Sequence, residues 1–302
     1  VNELSADEGR NLEEIITRLQ NGEPVQYVLG KADFAGRTFH VEPGVLIPRP
    51  ETAELCQWIV ETQNENLKKE EAIIRKEFNI SPDVALEDVN LFEGKGWFKR
   101  KYSRLRFLIK MTHCYKKARH TKLASPRPRI IDLGTGSGCI AITLSLDIPN
   151  SEVLGFDISD SACNVATKNA KQLASRAIFH KSDIFDLLEM CKTNREEHFK
   201  ADIIVSNPPY ICEKEKAGME KNVLDYEPGL ALFVPDEDPL KFYRAIAELA
   251  SIELRSWGLL YFEINPLYEK ETREMLEGFG FENIETQQDF YGKKRMMRAM
   301  KK

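Results

Sequence analysis

The 302-residue chain lacks the marks of several protein classes. Its six cysteines (Cys56, Cys114, Cys139, Cys163, Cys191 and Cys212) form no CxxC pair, which argues against a zinc knuckle or a disulfide framework and favours a reducing compartment. The five histidines, His40, His113, His120, His180 and His198, are scattered without metal-ligand spacing, so no metal is expected. Long hydrophobic runs are missing as well. The longest apolar stretch free of charge, Leu133 to Leu146, has 14 residues including three glycines. A membrane span needs roughly 20. Acidic residues are absent from residues 94–129, which hold 13 Lys/Arg, while the other 266 residues carry 30 basic against 48 acidic side chains. One basic block therefore sits in an acidic protein. No signal peptide is visible, and because the chain starts at Val1 rather than Met, an upstream piece is expected.

What is present suits a globular protein of about two domains, with 42% apolar and 30% charged residues. Leu4, Leu12, Ile15, Ile16 and Leu19 predict an amphipathic helix over 3–20, stopped by Asn21-Gly22 and Pro24. Residues 25–47 predict a short β-ribbon, and Pro48, Pro50 and Thr52 lead into a helix over 51–61. Residues 62–128 look like an insertion, acidic and mixed first, then basic and interleaved with Trp97, Phe98, Tyr102, Phe107 and Tyr115. Leu105, Leu108, Ile109 and Thr112 there could form one face of a short helix. From Arg129 short apolar runs alternate with helical ones. Strands are expected at 129–133, 152–156, 176–180, 202–205, 258–264, 281–286 and 294–300, and helices at 138–147, 159–173, 240–255 and 267–278. This alternation predicts an α/β domain over 129–302, a seven-stranded parallel sheet with helices on both faces. A substrate lobe and linker would occupy 1–61.

The segment Ile130-Ile131-Asp132-Leu133-Gly134-Thr135-Gly136-Ser137-Gly138 follows a strand and opens a helix. Glycines allow a tight turn and close approach of a ligand, and the helix start adds unpaired N–H groups. The spacing is GxGxG, with Cys139 where a dinucleotide fingerprint would place its third Gly. Asp157, 21 residues after Gly136 and at the end of the next strand, can accept from both hydroxyls of a ribose, or it can serve the helix start at Ser159 and Asp160. Asp183 could face an adenine amino group, or cap a turn over 184–189.

Ile203-Ile204-Val205-Ser206-Asn207-Pro208-Pro209-Tyr210 is the sharpest signal. A buried strand ends in an amide, two rigid prolines and an aromatic, at the strand ends where open α/β sheets bind ligands. Asn207 offers a side-chain acceptor, the prolines leave carbonyls free, and Tyr210 offers a flat face for stacking. That set suits a planar NH2 group conjugated to a π-system. Accepting both N–H bonds, at Asn207 Oδ1 and the Pro208 carbonyl, would turn the nitrogen lone pair toward an electrophile and bind it more strongly as positive charge develops. The bland alternative is a Pro-rich turn capping a strand.

These residues resemble the class I methyltransferases that use S-adenosylmethionine, where an Asn-Pro-Pro-Tyr motif is shared by enzymes acting on DNA adenine and on protein glutamine. Val45-Leu46-Ile47-Pro48-Arg49-Pro50-Glu51-Thr52, with Pro24-Val25-Gln26-Tyr27 and Gly30 upstream, is similar to the HemK-type family, which methylates the glutamine N5 of the Gly-Gly-Gln loop in peptide chain release factors. The resemblance covers 22–61 and 129–300, and Gly292 and Arg295 fit that family's last hairpin. It implies a Rossmann-like sheet with a small, truncated N-terminal lobe. By the same resemblance Gly134, Thr135, Gly136, Ser137 and Gly138 bind the methionine part of the cofactor, Asp157 its ribose and Asp183 its adenine. Asn207, Pro208, Pro209 and Tyr210 hold the glutamine, with Asn207 also near the cofactor. Asn207, Pro208 and Tyr210 are the expected catalytic set.

Two other functions compete: adenine-N6 methylation of DNA, which shares the chemistry but needs a flipped base and is disfavoured by the acidic body, and a non-catalytic RNA- or ribosome-binding adaptor resting on residues 94–129. A release factor is the expected partner, with a weak RNA or ribosome contact through 94–129, no membrane and a monomeric state. The insertion together with the Pro-Arg-Pro-Glu-Thr lobe points to a mitochondrial enzyme, with cytoplasm as the alternative.

Overall fold

The structure, a computed structural model, describes residues 6–78, 127–193 and 199–302. The chain divides into two compact units: Val1–Ile59 with Arg127–Lys302, and Val60–Pro126. In the second unit the described residues are 60–78, which complete the helix that starts at Pro50 and carry an i,i+4 ion pair, Arg75 to Glu71 at 2.5 Å. The expected helix face at 105–112, the basic block and its aromatics lie outside the described residues.

The first unit opens with α1 (Ala6–Gln20), α2 (Val25–Leu29) and the hairpin β1 (Lys31–Phe34) and β2 (Arg37–His40). The ribbon expected over 25–47 is thus shorter. Val25–Leu29 coils into a single helical turn that Gly30 ends in the left-handed region, with φ 67. Tyr27, Ala32, Val41 and Ile47 form a small core here, and the Tyr27 hydroxyl donates to the Val45 carbonyl at 2.7 Å. Leu12, Ile16 and Leu19, the apolar face of α1, stay exposed. The next helix, α3 (Pro50–Phe78), runs well past the expected residue 61. Residues 62–78 contain no Gly or Pro to stop it and are dense in Glu and Lys, which are good helix formers.

The main sheet is formed by β3 (Arg129–Leu133), β4 (Glu152–Asp157), β5 (Ile178–Lys181), β6 (Ala201–Ser206), β9 (Leu254–Glu263), β10 (Phe281–Gln288) and β11 (Lys294–Lys301), in the order β10-β11-β9-β6-β3-β4-β5. Two-residue strands β7 (Ile211–Cys212) and β8 (Phe233–Val234) pair apart from it. All seven main strands fall where the apolar runs predict them. The sheet is mixed rather than wholly parallel: β6, β3, β4, β5 and β9 are parallel, and β11 is antiparallel to both β9 and β10. A period of two marks a strand but not its direction, and only a short turn separates β10 from β11, too few residues for a parallel crossover.

The helices of this unit are α4 (Cys139–Asp147), α5 (Asp160–Gln172), α6 (Ile184–Thr193), α7 (Lys221–Tyr226), α8 (Gly229–Leu232), α9 (Lys241–Glu253) and α10 (Glu269–Gly278). Right-handed crossovers put α4 and α5 on one face, as the chain steps from β3 through β4 to β5, and α6 and α9 on the other as it returns through β6. Leu188, Tyr243, Ile246, Leu249 and Leu276 pack with Ile204, Leu260 and Phe262 on that second face. The sequence reading missed α6: residues 184–189 were expected to be a turn, yet Ile184, Leu187, Leu188 and Cys191 have helical spacing.

Candidate active site

The strands β3, β4 and β6 end side by side, and their C-terminal loops wall a cavity of about 390 Å³. Gly134, Thr135, Gly136, Ser137, Asp157, Asp183, Asn207 and Pro209 line it, joined by Val45, Ile47, Arg49 and Thr52 from the first 60 residues. Pro208, between the lining residues Asn207 and Pro209, is itself buried, and Pro208, Tyr210 and Gly138 are not part of the lining.

The glycine loop is held by backbone. The Gly134 and Thr135 N–H groups both donate to the Phe156 carbonyl, at 2.8 and 3.0 Å. Gly136 has φ 56, and a Cβ placed there would meet no atom within 4 Å, so this stretch of main chain is open to a ligand. Gly138 does a different job. A Cβ there would sit 3.0 Å from Ala166 and from Ile142 and 3.1 Å from Phe179, so its lack of a side chain lets α4 and α5 pack against the sheet. Asp132, fully buried beneath the loop, accepts from the Thr135 hydroxyl at 2.6 Å and from the Ala141 N–H at 3.2 Å. Its other oxygen has no partner among the described residues, and burial pushes its pKa up to about 7.

Asp157 serves the helix start and also braces the glycine loop. One oxygen accepts from Gly136 N–H at 2.8 Å and the other from Ser159 N–H at 3.0 Å, while Ser159 itself caps α5. A carboxylate oxygen has a second lone pair, so Asp157 keeps acceptor capacity toward the cavity. Burial raises its pKa, and those backbone N–H groups oppose the shift. Asp183 likewise accepts from Phe185 N–H at 2.8 Å, at the start of α6, and lines the cavity.

The opposite wall is built from side chains. Asn207 Nδ2 donates to Thr52 Oγ1 at 3.1 Å, and the Thr52 hydroxyl donates to Glu263 at 2.5 Å. Glu263 ends β9, is 2% exposed, and also accepts from the Tyr210 hydroxyl at 2.9 Å. Asn265 Nδ2 donates to the Tyr210 carbonyl at 3.1 Å, so Tyr210 is held at both ends. Burial, then the Glu263 carboxylate, drives the Tyr210 phenol well above its ordinary pKa. Nearby, Arg49 pairs with the buried Glu227 at 2.5 Å, and Glu227 also accepts from Ile47 N–H at 3.2 Å, fixing residues 47–49 against the cavity.

A family described as a methyltransferase domain matches residues 125–250. The release factor glutamine methyltransferase of Bacteroides thetaiotaomicron is 41% identical over 296 residues, covering 98% of this chain and 82% of that protein. Its namesake from Flavobacterium psychrophilum is 38% identical, covering 95% of this chain and 79% of that protein. The chain belongs to the release factor glutamine methyltransferase family. Among solved structures, a T. thermophilus 16S rRNA N2 G1207 methyltransferase in complex with AdoMet and guanosine is 18% identical with a TM-score of 0.47, covering 90% of this chain and 50% of that one.

In this release factor glutamine methyltransferase family member, sequence reasoning missed the support of the amide wall. Thr52 stands out in the sequence only as a lead into the helix and as the end of the Val45–Thr52 resemblance, and Glu263 only as part of the strand expected over 258–264. A signal was there: Leu259-Leu260-Tyr261-Phe262-Glu263 is an apolar run that ends in a lone carboxylate, at the edge of the sheet where ligands bind.

Proposed function

We infer that this chain transfers a methyl group from S-adenosylmethionine to the side-chain amide nitrogen (N5) of the glutamine in the Gly-Gly-Gln loop of peptide chain release factors. The observation that carries the reading is the meeting of Asn207 and Pro209 with the Gly134–Ser137 loop and Asp157 in one cavity. The open main chain at Gly136 and the spare acceptor capacity of Asp157 fit the methionine and ribose parts of the cofactor. Asp183, which lines the same cavity, would meet its adenine. The cofactor supplies a methyl group activated on a sulfonium.

The protein's own contribution is orientation. A glutamine amide nitrogen is a poor nucleophile because its lone pair is delocalised. Asn207 Oδ1 and the Pro208 carbonyl accept its two N–H bonds and direct the lone pair along the line of attack. Both acceptors bind the nitrogen more strongly as it becomes positive, so they favour the transition state over the ground state. Labelled S-adenosylmethionine should mark a release factor, and should mark neither duplex DNA nor a release factor whose Gly-Gly-Gln glutamine is replaced by alanine. Label on DNA alone would overturn the reading.

The basic block supports a further partner. With 13 Lys/Arg and five aromatics, residues 94–129 suit a weak electrostatic contact with RNA such as that of the ribosome. Binding should then fall steeply with salt, by about 0.7 in log–log slope per phosphate neutralised on a single strand. Removing residues 64–126 should abolish it and spare methylation of a free release factor.

A further inference from the structure

We propose that Glu263, acting through the Thr52 hydroxyl, is a positioning residue that fixes which end of the Asn207 amide faces the substrate. The proposal deepens the reading above and rests on it.

An amide side chain has two ends of nearly equal size, one a donor and one an acceptor, and only its hydrogen-bond partners decide which way it lies. The reaction needs the acceptor end. In the cavity wall, Asn207 touches the hydroxyl of Thr52. A hydroxyl has one hydrogen and can offer a neighbour either that hydrogen or a lone pair. Here the hydrogen is committed to Glu263 at 2.5 Å. Thr52 can therefore only accept from Asn207, so the NH2 end is the one at 3.1 Å from it. Oδ1 is left without a protein donor among the described residues.

Glu263 is suited to this because it acts only as an acceptor while ionised. It takes hydrogens from Thr52 and from Tyr210, and so sets the amide and the aromatic of the same motif together. Arg295, paired with Asp289 at 3.3 Å and within 3.4 Å of the Tyr210 hydroxyl, provides the countercharge. Burial, with a smaller push from Glu51, raises the Glu263 pKa above its ordinary value, and the hydrogen bonds from Thr52 and Tyr210 and the charge of Arg295 oppose that rise and favour the carboxylate. The Tyr243 hydroxyl donates to the Glu263 main-chain carbonyl at 3.0 Å and accepts from Asn265 N–H at 3.2 Å, so it leaves the carboxylate to Thr52 and Tyr210. If the carboxyl carried a proton it could donate to Thr52, Thr52 could donate to Asn207, and the amide would turn its NH2 toward a substrate NH2. The place of Thr52 in Pro-Arg-Pro-Glu-Thr thereby gains a chemical meaning: the segment that enters α3 supplies the relay.

The test uses the full chain, S-adenosylmethionine and a release factor. The parent must first label the release factor glutamine; failure at this step would count against the reaction assigned above, not against Glu263. Three variants follow: Thr52→Val, which keeps shape and loses the hydroxyl; Thr52→Ser, which keeps the hydroxyl; and Glu263→Gln, whose NH2 would face Thr52 or Tyr210. Thr52→Val and Glu263→Gln should each lower kcat by about 10–100-fold, the scale of a small misorientation of reacting groups. KM for the release factor and Kd for the cofactor should stay within about threefold of the parent, and Thr52→Ser should retain kcat within about threefold. Because the two residues act in one chain, the double variant should be no slower than the worse single one. Parental kcat in Thr52→Val, an equal loss in Thr52→Ser, or a loss confined to KM or cofactor Kd would overturn the proposal. If Glu263→Gln fails to fold, the Thr52 pair decides alone.

Discussion

The two walls of the cavity solve the same problem by different means. The glycine-loop wall is held through its main-chain N–H groups: Gly134 and Thr135 donate to the Phe156 carbonyl and Gly136 to the Asp157 carboxylate, all within about 25 residues of sequence. The amide wall is side chain bound to side chain. Asn207 reaches Thr52 across 155 residues, and Thr52 reaches Glu263 across 211. A backbone cradle tolerates many side chains around it, because its donors come from peptide groups that every residue carries. A relay of three side chains tolerates few, since each member has to supply a donor or acceptor of one kind at one place.

The largest test of this contrast is Asn207→Ala. It should lower kcat by roughly 10²–10³-fold, or about 2.7–4 kcal/mol for one oriented group, and leave cofactor affinity within about tenfold. Single-turnover kinetics beside calorimetry would separate the two, and a purely cofactor-binding defect would erase the distinction between the walls. Asp157→Ala should show the reverse, weakening cofactor binding by about 1.5–3 kcal/mol with less effect on the bound rate. An unchanged Kd would leave Asp157 with its role at Gly136 and Ser159 alone.

Gly138→Ala tests the glycine that faces the protein rather than the cavity. A methyl group forced between Ala166, Ile142 and Phe179 at positive φ should cost about 1–3 kcal/mol of fold stability, read as a lower denaturant midpoint. Gly136→Ala, with open space around it, should cost the fold less and cofactor affinity more. Asp132→Asn is read against pH instead of against activity. The folded-state pKa of Asp132 is raised from 3.8 to about 7, so its protonated form favours folding. That contribution is full below the unfolded pKa and is lost as pH rises through about 7. Without cofactor, the variant should therefore gain Tm over the parent at pH 8 and little at pH 4. A gain of the same size at both values would show that ionisation of Asp132 is not its source.

The same division explains what could be read from sequence. The glycine loop, Asp157 and the Asn-Pro-Pro-Tyr motif were legible because each is local: strand, turn and helix start lie within one short window. The seven strands were legible for the same reason, as apolar runs bounded by turns. Strand direction was not legible in the apolar runs; only the resemblance to a last hairpin around Gly292 hinted at it, and the antiparallel pairing of β11 with β9 came with the structure. Gly138 was grouped with the ligand-facing glycines, because spacing alone does not tell an open face from one packed against Phe179. The partnership of Thr52 with Glu263 leaves no mark at the Thr52 end, and at the other end only a carboxylate closing an apolar strand.

The position of β11 has a consequence for how the protein is made. This strand lies between β9 and β10 in the sheet, yet it follows both in the chain. A nascent polypeptide thus displays Leu259 to Glu263 along an unpaired edge until residues 294–301 have emerged. At roughly 5–20 residues per second, the 38 positions from Glu263 to Lys301 take about 2–8 s to synthesise. Arg295 arrives with β11, so the carboxylate of Glu263 spends that interval without its countercharge. Assembly of the amide wall therefore waits on β11, while the glycine loop, encoded more than 120 residues earlier, can form well before it.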